Sequence, residues 1–430
     1  MRDRNRSMLV RTGALLILLV GACDLNLQNP NAATREEVLS SPDGMIALAV
    51  GMQGQYAGMV EDYVLTSALI TDEWGTRTAS LISYQSLLTG QNFDRSYGVV
   101  LSPWSGGYLV IRSANTLLAG APQVLEGGLE TGVVALAKLF KAMAFGTLLL
   151  QYQDVPIDVS ALAPAPQART VVLDTILALL ESARADLRGV TDADLAVFNT
   201  RVLGTGFSLR NTVHAMLARY YLVDAQYQNA VSAADSVNAS TLSVLRYASP
   251  NENAIYGLAM GLRYVAPLRS FVTQAELGDR RPNYWADTAL SASFVGNPDS
   301  VLQPLRKYAG QFDDYPVYLP DEMKLIKAEA FTQLARLDSA ALYVNAVRTQ
   351  TTSTVDEPIA GLAALDPATQ LDTPTKLFAE IATQRRHELY MQGLRWEDTR
   401  RLGAAITTTP VMQWLPIPLQ ECLTNPSAGC

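Results

Sequence analysis

Histidine is nearly missing from this chain of 430 residues, which has only His214 and His387. That scarcity removes histidine-rich metal sites and leaves little from which to build a Ser-His-Asp triad. His387-Glu388 is not followed by a histidine at zinc-protease spacing. His214 falls on the inner side of a helical pattern, where a packing role with satisfied ring nitrogens is expected. A phosphate-cradling glycine loop is also lacking, because Gly106-Gly107 sits within a helical pattern with no strand before it. Past residue 22 no run of about 18 apolar residues is read, so no transmembrane helix is expected there. Positive charge is the minority: 33 Lys and Arg face 41 Asp and Glu, for a net charge of −8 and a pI near 5.0. The first 22 residues carry Arg2, Arg4, Arg6 and Arg11 against Asp3, a balance of +3, so the remainder stands near −11. Such an acidic surface argues against nucleic acid as a partner and suits neutral and basic ligands equally.

The basic start is followed by a short apolar run from Gly13 to Val20 and then by Gly21-Ala22-Cys23. Residues 1–22 therefore read as a targeting segment, and 23–40 as a polar, proline-marked tether. Val20-Gly21-Ala22-Cys23 is similar to a bacterial lipobox, in which Cys23 becomes the lipidated first residue of the mature chain. The alternative is an ordinary secretory signal with an incidental cysteine. Cys422 and Cys430 remain, and in an oxidising compartment the expectation is a disulfide. Metal binding is the competing reading, but no histidine or carboxylate cluster stands beside them.

From Ser41 onward the periodicity is helical. Met45, Leu48, Ala49, Met52 and Tyr56 share one face, and Trp104, Tyr108, Ile111 and Asn115 share another. Further helices are predicted over 133–152, 171–187, 209–223, 227–237, 322–334, 339–348 and 375–392, a mostly α protein. In one pair, Leu217, Ala218, Tyr221, Ala230 and Ala234 stand where a tetratricopeptide unit needs leucine, small, tyrosine, small and small. In a second pair, Ala328, Phe331, Ala340 and Val344 repeat the offsets. Helical repeats are thus placed at about 41–240 and 321–402, with an aromatic, loop-rich region at about 242–320 and a tail at 403–430. Asp72-Glu73 and Asp313-Asp314 are the acidic clusters noted, and solvated faces account for both.

The most informative stretch is 385–426. It holds Arg385-Arg386-His387-Glu388, then Gly393-Leu394-Arg395-Trp396 with Asp398, Arg400 and Arg401, and later Leu415-Pro416-Ile417-Pro418. Arg385 with Glu388, and Arg395 with Asp398, have the three-residue spacing at which helical side chains meet. Gly393 suits a left-handed helix end, and the prolines make a rigid extended tail. This segment resembles the closing part of the SusD/RagB family, surface lipoproteins that partner TonB-dependent outer-membrane transporters. The resemblance runs in order along the chain, through Trp104-x3-Tyr108-x2-Ile111-x3-Asn115, Gln151-Tyr152-Gln153-Asp154-Val155-Pro156, and Lys327-Ala328-Glu329-Ala330. Lys141 and Gln153 replace the family's usual arginine and glycine.

The resemblance implies tetratricopeptide-like pairs in a right-handed superhelix packed against a loop-rich region. It implies a non-enzymatic lipoprotein of the outer membrane, facing the cell surface. Such a protein binds a glycan or peptide, needs no cofactor or metal, and serves as the lid of a SusC-like β-barrel. Arg386, Glu388, Gly393, Arg395, Asp398 and Arg401 would be structural. Sugars offer flat apolar faces edged by hydroxyls, so aromatic rings beside amides or carboxylates in irregular segments are the ligand candidates. These are Trp74 with Asp72, Tyr84, Phe93 with Asn92, and Tyr284 with Trp285, for each of which core packing or transporter contact is the competing role. Competing functions are a helical lipoprotein glycoside hydrolase and an envelope protein–protein scaffold.

Overall fold

The computed structural model of this protein describes residues 39–77, 80–288, 302–406 and 409–430. Cys23, the targeting segment and all but the end of the tether lie outside them. The first helix, α1 (Pro42–Gly58), starts where local chemistry dictates. Ser41 stays extended and accepts from the Gly44 amide at 3.1 Å, Pro42 fills the first turn, and Asp43 meets the positive helix end. A single residue later α2 (Val60–Ile70) begins, followed by strand β1 (Trp74–Thr76) and helix α3 (Ile82–Thr89). The long pair α4 (Gly98–Val124) and α5 (Gly127–Gln151) comes next, then α6 (Arg169–Asp186), α7 (Leu209–Val223) and α8 (Tyr227–Asp235). Short strands β2 (Val244–Leu245), β3 (Val265–Pro267) and β4 (Tyr315–Pro316) punctuate the irregular middle. The chain closes with α9 (Pro320–Gln333), α10 (Leu337–Arg348), α11 (Pro374–Glu388), α12 (Arg395–Leu402) and α13 (Leu419–Thr424).

These helices stack serially. α1 packs on α4, α4 on α5, α5 on α6 and α6 on α7; the α7–α8 hairpin then meets the α9–α10 hairpin through α8 and α9, and α11 lies on α9 and α10. The repeat positions explain the closeness of the hairpins. Leu217, Ala218, Ala230, Ala234, Ala328, Phe331, Ala340 and Val344 are all buried. Gly107 has the same use in α4: a Cβ there would stand 2.8 Å from Leu148 of α5. Its role is close helix contact, as its helical pattern required.

Helix α5 departs from the sequence reading, since it is long and apolar enough to cross a membrane. The 78% burial of its most apolar window identifies it as a core helix, with Phe140, Phe145, Leu148 and Leu149 wholly enclosed. Two other departures are local. The tail is not extended throughout, because α13 begins directly after Pro418; a proline restricts itself and the residue before it, so it can precede a helix. The strands form two antiparallel ribbons, β1 with β3 (Trp74 opposite Pro267) and β2 with β4 (Leu245 opposite Tyr315). β1 packs on α2 and β2 on α1, while the Tyr315 hydroxyl of β4 donates to the Met391 carbonyl at 3.0 Å.

Candidate functional site

The first turn of α2 carries adjacent carboxylates, Glu61 and Asp62, in an otherwise apolar helix. Both are half-buried, and neither has an ion-pair or hydrogen-bond partner for its carboxylate among the described residues. Burial pushes Glu61 up to about 7; Asp62 rises to about 7 by burial and then by the charge of Glu61. Their surroundings are aromatic. Tyr84, on α3 against α2, meets Tyr264 edge-on at 6.1 Å between ring centres. Burial, then the charges of Glu61 and Asp62, push the Tyr84 hydroxyl up to about 12. Tyr247 is anchored by its hydroxyl on the Ala57 carbonyl at 2.9 Å and is raised by burial and by Glu61. Half-buried Tyr256 belongs to the Ala254–Tyr256 turn, which packs on α2. Tyr84 and Tyr247 are buried, so the unpaired acceptors can take hydroxyl or ammonium donors while the half-buried Tyr264 and Tyr256 offer ring surface to an apolar face.

Of the sequence candidates, only Tyr84 reaches this group, and at 7% exposure it backs the carboxylates from the interior and does not present a ring face to solvent. Asn92 and Phe93 follow α3: Asn92 is exposed with φ +50°, and Phe93 packs edge-on to Tyr97 at 6.1 Å. Asp72 is exposed at the turn after α2, where φ is +56°. Trp74 and Trp285 are corrected to interior residues, both at 0% exposure. Trp74 is held by the β1–β3 ribbon, and the Trp285 indole donates to the His387 carbonyl at 2.9 Å. Tyr284 is half-buried and committed, donating to Asp356 Oδ1 at 3.1 Å with Lys307 over its ring at 5.4 Å. Glu73 is likewise no solvated face: it is 3% exposed, and its carboxyl is pushed up to about 7 by burial against the opposing pull of Arg395 and Arg386. Sequence reasoning missed Glu61-Asp62. The available signal was an adjacent acidic pair interrupting the apolar run from Met59 to Ile70.

The 385–426 segment is built as a clasp, but not with the expected partners. Arg385 does not pair with Glu388, nor Arg395 with Asp398. Arg385 crosses to Asp398 of α12 at 2.8 and 2.9 Å, and Glu388 meets Arg281 at 3.4 Å. Arg395 donates to the Ala382 carbonyl at 3.2 Å, and Arg386 to Gln274 at 2.7 Å. The reason is the corner: Gly393, at φ +70°, turns α12 back so that facing helices offer closer partners than the next turn does. Arg401 ties Asp398 (2.9 Å) to Glu329 of α9 (2.9 Å), and Arg219 of α7 ties to Glu322 (2.6 Å). Burial alone would raise Asp398, but Arg385 and Arg401 outweigh it and hold the carboxyl below its ordinary value. The tail is strapped on by Arg400, which lies 3.5 Å from the Trp414 ring centre, and by the Leu415 amide donating to the Gln151 carbonyl at 2.8 Å. Cys422 and Cys430 are joined by a disulfide.

The two histidines lie in packed surroundings. His387 stacks on Phe271 at 5.2 Å and is pushed down to about 4 by burial and by Arg281, so it is neutral near pH 7. His214 is half-buried and also lowered by burial, but its Nδ1 lacks a partner, unlike the satisfied ring expected.

No family model matches the sequence, and no curated protein matches it. Solved structures share its fold. A SusD superfamily protein from Bacteroides thetaiotaomicron superposes with a TM-score of 0.71 at 16% identity, over 90% of this chain and 98% of its own. A SusD superfamily protein from Bacteroides fragilis gives 0.69 at 17% identity, over 91% of this chain and 100% of its own. NanU of B. fragilis gives 0.71 at 16% identity, over 93% and 98%. The mostly helical, repeat-containing fold expected from the sequence is therefore the SusD fold.

Proposed function

We propose that this chain, carrying the SusD fold from α1 to its tail, is a non-enzymatic surface lipoprotein that binds a nutrient. It would deliver an oligosaccharide or peptide to a TonB-dependent outer-membrane transporter as the lid of a SusC-like barrel. A lipid on Cys23 would hold it to the outer membrane. The likeness to SusD proteins over nine-tenths of the chain supports the class. The observation that carries binding is the unpaired Glu61–Asp62 pair beside Tyr84 and Tyr264. Successive positions on a helix diverge by about 100°, so these carboxylates do not oppose one another across a bond as a glycosidase pair must. Leaving them without a counter-charge costs stability, and a ligand with hydroxyl or ammonium donors offsets that cost.

Calorimetric titration with neutral oligosaccharides, amino sugars and short peptides tests the site. For whichever class binds, replacing the half-buried partner ring, Tyr264→Ala, is expected to weaken affinity about 10-fold or more, the value of about 1.4 kcal/mol from a lost aromatic platform. Undiminished affinity in this variant would place the ligand elsewhere. Turnover of a glycan by the purified chain would instead favour the glycoside hydrolase reading.

A further inference from the structure

Apart from the tyrosine-lined site, three carboxylates from different elements meet in the interior. Asp321 stands in the first turn of α9, Glu388 ends α11, and Glu357 comes from the segment linking α10 to α11. Each offers a carboxylate oxygen, and these lie within 4.8 Å of one another. All three residues are buried, with exposures of 1%, 0% and 7% respectively. The neighbours satisfy only part of the group. Glu357 Oε1 accepts from Gln350 at 2.8 Å and Ser353 at 2.6 Å, and Glu388 Oε2 faces Arg281 at 3.4 Å. Glu357 Oε2 and Glu388 Oε1 have no partner at all. Lys324 forms an ion pair with Asp321 Oδ1 and also donates to Gln350 Oε1. Arg281 is already engaged by Asp279 at 2.6 Å. With Asp279 counted, four carboxyl groups face two cations, Arg281 and Lys324, so with all four ionised the interior would carry an excess of two negative charges.

We propose that Asp321, Glu357 and Glu388 bind a divalent cation, Ca2+, which clamps α9, the 349–373 segment and α11 together. An all-oxygen donor set without thiol or imidazole selects a hard ion. Calcium–oxygen distances of about 2.3–2.6 Å place opposed ligands about 5 Å apart, which matches the span of this group. Mg2+ is bound at about 2.0–2.1 Å in strict octahedral geometry with retained water, a poor match for so enclosed a site. Arg281 keeps Glu388 Oε2, while the partnerless Oε1 turns to the ion.

The test uses the purified full-length chain, stripped with EDTA and titrated calorimetrically with CaCl2 and MgCl2, with thermal unfolding followed in parallel. The expected result is one Ca2+ per chain, a Tm several degrees higher with Ca2+ than with EDTA, and at least 10-fold weaker Mg2+ binding. Glu357→Gln, which can still accept from Gln350 and Ser353, is expected to lose the Ca2+-dependent rise in Tm. If that variant fails to fold, the parent decides: no Ca2+ heat and an unchanged Tm overturn the proposal. Ca2+ binding that survives both Glu357→Gln and Asp321→Asn overturns it too. So does a Tm indifferent to Ca2+ that rises on acidification from pH 8 to 6, because protons would then neutralise the group.

Discussion

Asp62 shows how a single residue divides its value between stability and binding. Its carboxyl titrates near 7 in the folded chain, against an ordinary value near 4 when unfolded. The folded state therefore holds the proton more tightly, and this residue's contribution to stability declines as pH rises from about 4 through 7. Asp62→Asn is expected to flatten that part of the profile. At pH 8 it should stabilise the chain by about 1–2 kcal/mol, allowing for partial exposure to solvent, while at pH 5 the difference should be less than half as large. Urea unfolding of both chains at the two pH values measures this; equal stability at pH 8 would show the carboxylate to be relieved by solvent or a partner. Asp398 is the opposite case, a buried acid whose counter-charges are present. Asp398→Ala would leave Arg385 and Arg401 facing each other without it, and a loss of about 3–5 kcal/mol is expected in the same assay. A loss under about 1 kcal/mol would mean that Glu329 alone neutralises the corner. The chemistry of these residues was visible in the sequence, but their partners were not. Spacing along one helix set Arg385 beside Glu388, while tertiary contact gave Arg385 to Asp398.

Whether an element could be read from the sequence depended on how much of its own signal it carried. Helices α1 and α11 have caps, prolines and apolar stripes of their own, so their starts were legible. Helices α2 and α3 lack a side-chain cap at their N-termini, and α2 is apolar nearly all round, so periodicity could not separate it from α1 or from a buried strand. The site inherits that difficulty: Glu61 and Asp62 sit on the helix that was missed, and Trp74 was read as a loop residue because its strand is only three residues long. Gly393 is the element-scale hinge on which the clasp depends. Its φ of +70° disfavours any L side chain, and an added Cβ would overlap the Tyr63 ring of α2. Gly393→Ala is expected to cost roughly 2–4 kcal/mol in thermal or urea unfolding, combining backbone strain with displacement of a packed ring. A near-neutral substitution would show that the corner between α11 and α12 is free to relax.

At the scale of the whole molecule, the ordered series of weak motifs was more informative than any one of them. Repeat offsets, the Trp104–Asn115 face and the 385–426 segment each fit an ordinary helical protein; together they pointed to the fold that the solved SusD structures share. The ligand site was less legible, because binding demands no fixed motif, only donors, acceptors and rings brought together by distant segments. The central claim, that this chain is the lipid-anchored partner of an outer-membrane transporter, is tested most directly in membranes. The full-length chain would be purified from mildly solubilised outer membranes and its companions identified by mass spectrometry, with Cys23→Ala and palmitate labelling as the anchoring control. The account predicts a large TonB-dependent β-barrel in near-equal amount, with labelling and membrane association both lost in Cys23→Ala. Recovery of the labelled chain alone, repeatedly and without a barrel, would contradict it.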